Sequence, residues 1–398
     1  MRLNYRKLGD YIQQVNLKNT DGKLDTLVGV NLDKKFMPSV ANTIGTDLTK
    51  YKVIKKGQFG CKFMSVGRDG KLPISLMQEY DAALISSAYY VFEVKDENEL
   101  LSEYLMMWLS RSENDRYLWF MSGADVRGSI SWDDFCSIDI NIPSIEKQRE
   151  IVKEYKTITE RIKLNEQLNQ KLEETAQAIY KEWFVDFEFP DKNGKPYKSS
   201  GGEIKYCDEL GMEVPKGWTT GMLSNIMEYS KEKIPLSKLS TTTYISTENM
   251  IENRGGVTTA SSLPTTEKVS SFHKNNILIS NIRPYFKKIW LAEFDGGCSN
   301  DILCVKAKNI DPLFLYFILE QDNFFDYVMA GSKGTKMPRG DKDWILQYPI
   351  IIPKEEQLRA FSKITSHLKS NINIKMQLTK CLKALSATLL SKMLTIEG

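Results

Sequence analysis

The sequence predicts an α+β fold, with two pseudo-repeated globular α/β domains separated by a long antiparallel two-helix coiled coil. The chain of 398 residues repeats itself once, and Pro143 in the first half corresponds to Pro353, 210 residues later. An apolar stripe at heptad spacing follows each of these prolines. We therefore expect five segments, with boundaries at 1–143, 144–185, 186–217, 218–352 and 353–395.

Segment 1–143 has the features of a mixed globular domain. Residues 88–94 are rich in aromatic and β-branched side chains, which predicts a strand. Residues 100–119 place Leu101, Leu105 and Trp108 on one face, which predicts a helix. We expect Trp108 and Trp119 to be core residues.

Segments 144–185 and 353–395 predict the two long helices. Alternating steps of four and three keep one stripe on one helix face, so each helix has a natural partner in the other. The expected seam contains Ile151, Tyr155, Ile158, Ile162, Leu172, Ile179, Trp183, Phe361, Leu368, Ile372, Leu382, Leu389 and Met393.

Polar residues also fall on this stripe, at Asn165 and Asn169 in the first helix and at Lys375 and Thr379 in the second. Such residues either fix the register and the partner of a coiled coil, or are solvated where the helices diverge. Apolar residues off the stripe, among them Leu164, exceed what one seam buries and favour binding of a partner.

Segment 186–217 is predicted to be a linker, because Gly, Pro, Ser and Lys dominate its middle. Segment 218–352 is predicted to be the second globular domain. It repeats the first most clearly near the helix, where Arg339-Gly340 corresponds to Arg127-Gly128.

Composition and missing motifs exclude several functions. Six scattered cysteines without CxxC spacing and two histidines argue against a zinc site. No secretory leader or membrane-length apolar run is visible, so we expect a cytoplasmic protein without a membrane partner. Methyltransferase, P-loop and zinc-hydrolase motifs are absent. Pro190-Asp191 with Glu203 and Lys205 imitates a metal-dependent nuclease motif, but it lies in the linker.

Basic and polar residues that could contact DNA are concentrated in loops of both globular domains, although the net charge is only +3. Lysine and arginine neutralise phosphates, while arginine and asparagine also recognise base edges. For any single residue the alternative is a solvated surface loop. The candidates are Lys56, Lys62, Arg68, Lys71, Arg127, Asn281, Arg283, Lys287, Lys288, Lys336 and Arg339.

The chain resembles the specificity subunit of type I restriction-modification enzymes over nearly its whole length. The resemblance rests on the duplicated layout and on two matching segments, SWDDF at 131–135 leading into IPSIEKQ at 142–148, and Asp343-Trp344 leading into IPKEEQ at 352–357. It also rests on WFVDFEFP at 183–190, followed by GKPY at 194–197. The second half departs from the pattern by lacking SWDDF.

This resemblance implies a non-catalytic DNA-recognition protein. Each globular domain would be a target recognition domain for one half of a bipartite, asymmetric double-stranded DNA site. The helices would set the spacer and dock two methyltransferase (modification) subunits, and two motor-nuclease (restriction) subunits could join. S-adenosylmethionine, ATP and Mg²⁺ would belong to those partners, with no cofactor in this chain. The alternatives are a two-domain protein-binding scaffold, a lone nuclease or methyltransferase, and a subunit of a modification-only system.

Overall fold

A computed structural model describes residues 6–39, 46–123, 128–208 and 210–392. Arg127 and Met393, both singled out above, lie outside these ranges. The chain divides into two compact units: unit 1 contains residues 1–166 and 376–398, and unit 2 contains residues 167–375. Each unit combines a mixed α/β part with segments of the two long helices, which agrees with the predicted fold class.

Before the long helix, the described residues of unit 1 form ten short strands and five short α-helices. They are β1 Arg6–Lys7, α1 Leu8–Tyr11, β2 Ile12–Val15, β3 Leu27–Val30, β4 Phe36–Pro38, β5 Lys52–Lys55, β6 Phe59–Cys61, α2 Val66–Asp69, β7 Ile74–Leu76, β8 Ala82–Ile85, β9 Tyr90–Val94, α3 Ser102–Leu109, α4 Ser112–Met121, α5 Trp132–Cys136 and β10 Asp139–Ile140. The long helix α6, Ile145–Phe184, starts in this unit.

Unit 2 contains the remaining elements. They are β11 Ile204–Cys207, β12 Met212–Pro215, β13 Thr219–Met222, α7 Leu223–Ile226, β14 Met227–Tyr229, β15 Lys233–Pro235, β16 Tyr244–Ile245, β17 Lys268–Phe272, β18 Ile277–Ser280, β19 Ile289–Leu291, β20 Gly296–Cys298, β21 Ile302–Ala307, α8 Pro312–Leu319, α9 Asp322–Ala330, α10 Lys342–Leu346, β22 Pro349–Ile352 and the long helix α11, Glu355–Lys392, whose second part belongs to unit 1.

The two units share the topology of one sheet and part of the topology of a second. One four-stranded sheet has the order β2-β9-β6-β7 in unit 1 and β14-β21-β18-β19 in unit 2. A second sheet contains one parallel pair in each unit, β3 with β8 and β16 with β20, next to antiparallel neighbours. The internal repeat therefore extends through segments whose sequences have diverged.

The helix in 100–119 differs from the sequence expectation, because it is two helices with a break at Ser110 and Arg111. The Ser110 hydroxyl donates to the Met106 carbonyl oxygen at 2.7 Å, and Arg111 has extended backbone. A serine that bonds back to its own helix competes with continuation of the helix, and the apolar spacing does not reveal this.

The long helices are antiparallel within each unit. In unit 2 the Phe361 ring, near the start of α11, packs on Trp183 and Phe184 at the end of α6, with centroids 6.1 and 4.9 Å apart. In unit 1 Lys383 Nζ lies 2.8 Å from Glu166 Oε1. Each unit therefore has its own helix pair as part of its fold.

The apolar stripe of each helix faces inward. All seam residues named above that the structure describes are buried or half-buried, and Ile151, Phe361 and Ile372 are almost completely buried. Asn165 is fully buried and Thr379 nearly so, so the solvated interpretation is wrong for these two polar positions. Apolar residues off the stripe remain exposed, including Leu164, Leu168, Ile374, Leu378 and Leu385.

Segment 186–217 is more ordered than its composition predicts. Strands β11 and β12 form an antiparallel hairpin there, so the expectation of irregular structure is wrong for this part. Phe187 and Phe189 are buried in the core of unit 2, and the Phe189 ring stacks on Trp218 with centroids 5.0 Å apart. The aromatic residues that flank the Gly- and Ser-rich middle anchor the segment by burying apolar area.

Candidate nucleic-acid interface

Two loops lie side by side in each unit, and we call them the paired loops. In unit 1 they are residues 62–73, between β6 and β7, and residues 122–131, between α4 and α5, of which 124–127 are not described. In unit 2 they are residues 281–288, between β18 and β19, and residues 331–341, between α9 and α10. The repeat therefore places the same two loops together twice.

Backbone hydrogen bonds hold each pair of loops together. In unit 1 the Gly67 N–H donates to the Gly128 carbonyl oxygen at 3.1 Å. In unit 2 the Arg283 N–H donates to the Pro338 carbonyl oxygen at 2.8 Å, and Ile282 forms an antiparallel bridge with Arg339. These bonds place side chains from two distant parts of the sequence on one surface.

The short helices after the second loops are capped in the same way. The Ser131 hydroxyl accepts a hydrogen bond from the Asp134 N–H at 3.0 Å at the start of α5. The Asp341 carboxylate accepts from the N–H groups of Asp343 and Trp344 at 3.0 and 3.2 Å at the start of α10. The second half lacks the SWDDF pattern but keeps the cap, which fixes where the loop ends.

The paired loops contain most of the sequence-predicted candidates. Lys62, Arg68 and Lys71 lie in the first loop of unit 1, whereas Lys56 lies in the separate turn between β5 and β6. In unit 2 the first loop carries Asn281, Arg283, Lys287 and Lys288, and the second carries Lys336 and Arg339.

Arg283 has an unusual environment in unit 2. Its backbone is left-handed, with φ of 51°, which costs a non-glycine residue roughly 1 kcal/mol or more. Its Nε atom, like Oδ1 of Asn281, is buried without a hydrogen-bond partner among the described residues. The loop therefore holds a donor and an acceptor in place that the rest of the unit does not use.

The cations of the unit 2 loops fall into two groups. Lys336 is exposed, and Arg339 keeps 57% of its side chain exposed while pairing with Asp301 at 3.0 Å. Lys287 is bound to Asp322 at 2.8 Å, and Lys288 donates to the Thr247 carbonyl oxygen at 2.9 Å. Lys287 and Lys288 are therefore held by bonds within the protein, whereas Lys336 and Arg339 extend towards solvent.

In unit 1 the first loop carries both free and engaged cations. Arg68 is exposed and donates twice to Asp69, at 2.7 and 2.9 Å, and this hydrogen bonding lowers the pKa of the Asp69 carboxyl. Lys62 is half-buried, with its Nζ 5.9 Å from the centroid of the Tyr89 ring. Lys71 and Lys56 are exposed.

A buried ion pair beneath the unit 1 loop escaped the sequence analysis. Lys34 Nζ lies 2.7 Å from Asp115 Oδ1, and both side chains are more than nine-tenths buried. The same carboxylate oxygen accepts from the Leu72 N–H at 3.1 Å. Asp115 therefore fixes the end of the first loop, and only the folded chain brings these three residues together.

Exposed apolar side chains near the loops were also missed. Phe120 is 75% exposed and Met64 is 60% exposed in unit 1, as are Tyr285 and Met337 to lesser degrees in unit 2. The expectation that Trp119 is a core residue is wrong, since it is 39% exposed and donates its Nε1–H to the Gly67 carbonyl oxygen at 3.2 Å. Cations with aromatic and apolar neighbours suit a nucleic-acid surface.

Comparison with known proteins shows the same duplication. The family model for the type I restriction modification DNA specificity domain matches residues 44–174 and 215–384. The chain belongs to this family. The two matches include both pairs of loops and parts of both long helices. The repeat recognised in the sequence is thus a repeat of this domain.

Relatives with curated names are specificity subunits. The chain is 27% identical over 235 residues to the type I restriction enzyme HindI specificity subunit of Haemophilus influenzae, covering 57% of this chain and 50% of that protein. It is 23% identical over 317 residues to the MjaIX specificity subunit of Methanocaldococcus jannaschii, covering 74% and 68%. The match thus spans only half the length of the first relative.

A solved structure has a similar fold. The type I restriction-modification S subunit from M. genitalium superimposes with a TM-score of 0.52 at 13% identity, covering 98% of this chain and 96% of that one. Within the described ranges no helix has the length and apolar character to cross a membrane. Those ranges also contain no group of three or more His, Cys, Asp or Glu residues that could hold a metal ion.

Proposed function

We propose that this chain is the DNA sequence-specificity subunit of a cytoplasmic type I restriction-modification complex. Each unit would recognise one half of a bipartite, asymmetric site. The observation that carries the proposal is the double occurrence of the specificity domain, each copy with paired loops that present cations to solvent. A protein with one recognition surface would need only one copy.

The roles of the individual loop residues follow from their environments. Lys336 and Arg339 in unit 2, and Lys71 in unit 1, are assigned to phosphates or base edges because they are exposed. Arg283 and Asn281 are assigned to positioning the loop, since Arg283 Nε and Asn281 Oδ1 are buried, and base recognition would use their other polar atoms. Lys287 and Lys288 are assigned to holding the loop.

The helix pair is assigned two tasks, setting the spacer between the half-sites and docking two methyltransferase subunits. The support for docking is the row of exposed leucine and isoleucine residues off the seam, such as Ile374, which is 63% exposed. Two motor-nuclease subunits could join this core. S-adenosylmethionine, ATP and Mg²⁺ are assigned to the partner subunits. Catalysis is assigned to the same subunits, so this chain contributes recognition.

The proposal is tested by mapping DNA methylation in cells that contain the cognate methyltransferase subunit, with and without this chain. We expect a split motif with a fixed unspecified gap, present only with the chain. Unchanged methylation, or methylation at a continuous site, would contradict the proposal and favour a protein-binding scaffold. A split motif without restriction of unmodified DNA would indicate a modification-only system.

A further inference from the structure

Unit 2 contains a cavity among α6, α8 and α11. Its volume is about 110 Å³, which is small and suits a ligand of only a few heavy atoms. Much of its lining is apolar, with Leu313 and Phe317 from α8 and Leu368 and Ile372 from α11. The cavity adjoins the first unit 2 loop, since the Arg254 N–H donates to the Lys287 carbonyl oxygen at 3.0 Å, but its lining residues do not belong to the paired loops.

A buried carboxyl group lines this cavity. Glu320 follows the last residue of α8 and is only 4% exposed. Its Oε1 atom has no hydrogen-bond partner among the described residues, although the side chain also bonds with the Tyr316 hydroxyl. Burial of a carboxyl group without a basic partner is costly, so the position calls for an explanation.

The two cationic side chains near Glu320 form their ion pairs with other carboxylates. Arg254 Nε donates to the main-chain oxygen of Glu320 at 2.6 Å, and its guanidinium forms an ion pair with Asp322. Lys369 Nζ lies 3.1 Å from Glu293 Oε1. The second carboxyl group at the cavity, Glu173, has no ion pair of its own among the described residues.

We propose that this cavity binds an organic cation, a primary ammonium group on a short alkyl chain, with the ammonium against Glu320. An ammonium group supplies three donors to the free carboxylate oxygen and its surroundings. The alkyl chain would lie against Phe317 and Leu368, which gain from the exclusion of water. Such a ligand would touch α6, α8 and α11 together and stabilise their packing.

The protonation of Glu320 makes ligand binding at this site depend on pH. Burial raises the pKa of Glu320 to about 8, opposed by the charge of Arg254 and the Tyr316 hydrogen bond, and Glu173 raises it further while Lys369 lowers it. At pH 7 the side chain is therefore mostly protonated. A primary ammonium group, with a pKa of about 10.4, stays charged. Binding that needs the carboxylate must release a proton at pH 7 and strengthen towards pH 9.

The test is calorimetric titration of the full chain with n-butylammonium chloride at pH 7, in buffers of different ionisation enthalpy. We expect saturable binding with a Kd on the order of millimolar, given the few atoms of the ligand. We also expect release approaching one proton per site. Butan-1-ol, with the same chain and no charge, should not saturate.

Three variants locate the site. Glu320→Gln keeps the side-chain size and an acceptor for Tyr316, and should weaken binding at least about tenfold and abolish proton release. Glu173→Gln should weaken binding up to about fivefold. Glu355→Gln, an exposed residue of α11 outside the cavity, should bind like the original chain.

Several outcomes would overturn the proposal. They are absence of saturable binding to the original chain, equal binding of butan-1-ol, and unchanged binding by both carboxyl variants. Preferential binding of butyrate would also overturn it, because that would assign the site to Arg254 and Lys369. The measurement uses no DNA, so failure here leaves the proposed recognition function untouched.

Discussion

Asn165 is the seam residue whose replacement should stabilise the protein. It is fully buried in α6, and neither Nδ2 nor Oδ1 has a hydrogen-bond partner among the described residues. Thr379, on the facing part of α11, likewise buries an unpartnered Oγ1. The ion pair between Lys383 and Glu166 keeps these two helix segments together.

The expected effect of Asn165→Leu follows from these contacts. A buried amide without partners costs about 1–3 kcal/mol, and leucine has the higher helix propensity by a few tenths of a kcal/mol. Imperfect fit of the leucine offsets part of the gain, so we expect a net stabilisation of about 1–2 kcal/mol. The polar pair would then be retained for register and not for stability.

Hydrogen exchange followed by mass spectrometry measures the stability of the unit 1 helices separately from that of unit 2, since the two units need not unfold together. We expect exchange in peptides from 145–166 and 376–392 to slow by roughly tenfold in Asn165→Leu, with unit 2 peptides unchanged. Thr388→Leu, at an exposed position in the unit 1 part of α11, controls for helix propensity. Faster exchange in the unit 1 helices of Asn165→Leu would refute the reasoning, because it would mean that the amide is satisfied in solution.

Three further perturbations test other parts of the structure. Asp115→Asn leaves buried Lys34 without its counter-charge and should lower the free energy of unfolding by about 3–5 kcal/mol in denaturant titrations, whereas Glu160→Gln, at an exposed position of α6 in unit 1, should change it by less than about 0.5 kcal/mol. The raised pKa of Glu320, about 8 against 4.5 when unperturbed, favours the protonated folded state, so stability is lost as pH rises from about 5 to 9. Glu320→Gln should remove this loss. The free energy of unfolding of the variant, measured by thermal melting and compared with that of the original chain, should therefore rise by about 2–4 kcal/mol between those pH values; a constant difference would contradict the assignment. Inserting one heptad into both long helices should lengthen the methylation spacer by about three base pairs, since seven residues add about 10 Å, and altered half-sites with an unchanged spacer would oppose this.

The long helices were predictable from sequence because their contacts recur at a fixed spacing. One apolar stripe from Ile151 to Trp183 defines the buried face, and a second stripe supplies the partner. The repeat in sequence likewise indicated two domains of one type. Fold class and organisation thus depend on local periodicity and on comparison of the chain with itself.

The site depends on contacts between distant residues, which spacing does not show. Nothing in the sequence distinguishes Lys287, which binds Asp322, from Lys336, which is exposed. The aromatic run 117–120 resembles core, yet Phe120 projects outward. The unpartnered Oε1 atom of Glu320 becomes visible only when α8 is packed against both long helices.

The central claim is that each unit recognises its own half of the DNA site. The most direct measurement is the methylation motif produced by Arg339→Ala, compared with Lys238→Ala, an exposed lysine of unit 2 outside the paired loops. We predict that Arg339→Ala relaxes at least one position in one half-site, at a cost of about 1–3 kcal/mol in discrimination, while the other half and the spacer stay fixed. Changes in both half-sites, or the same result for both variants, would contradict the claim.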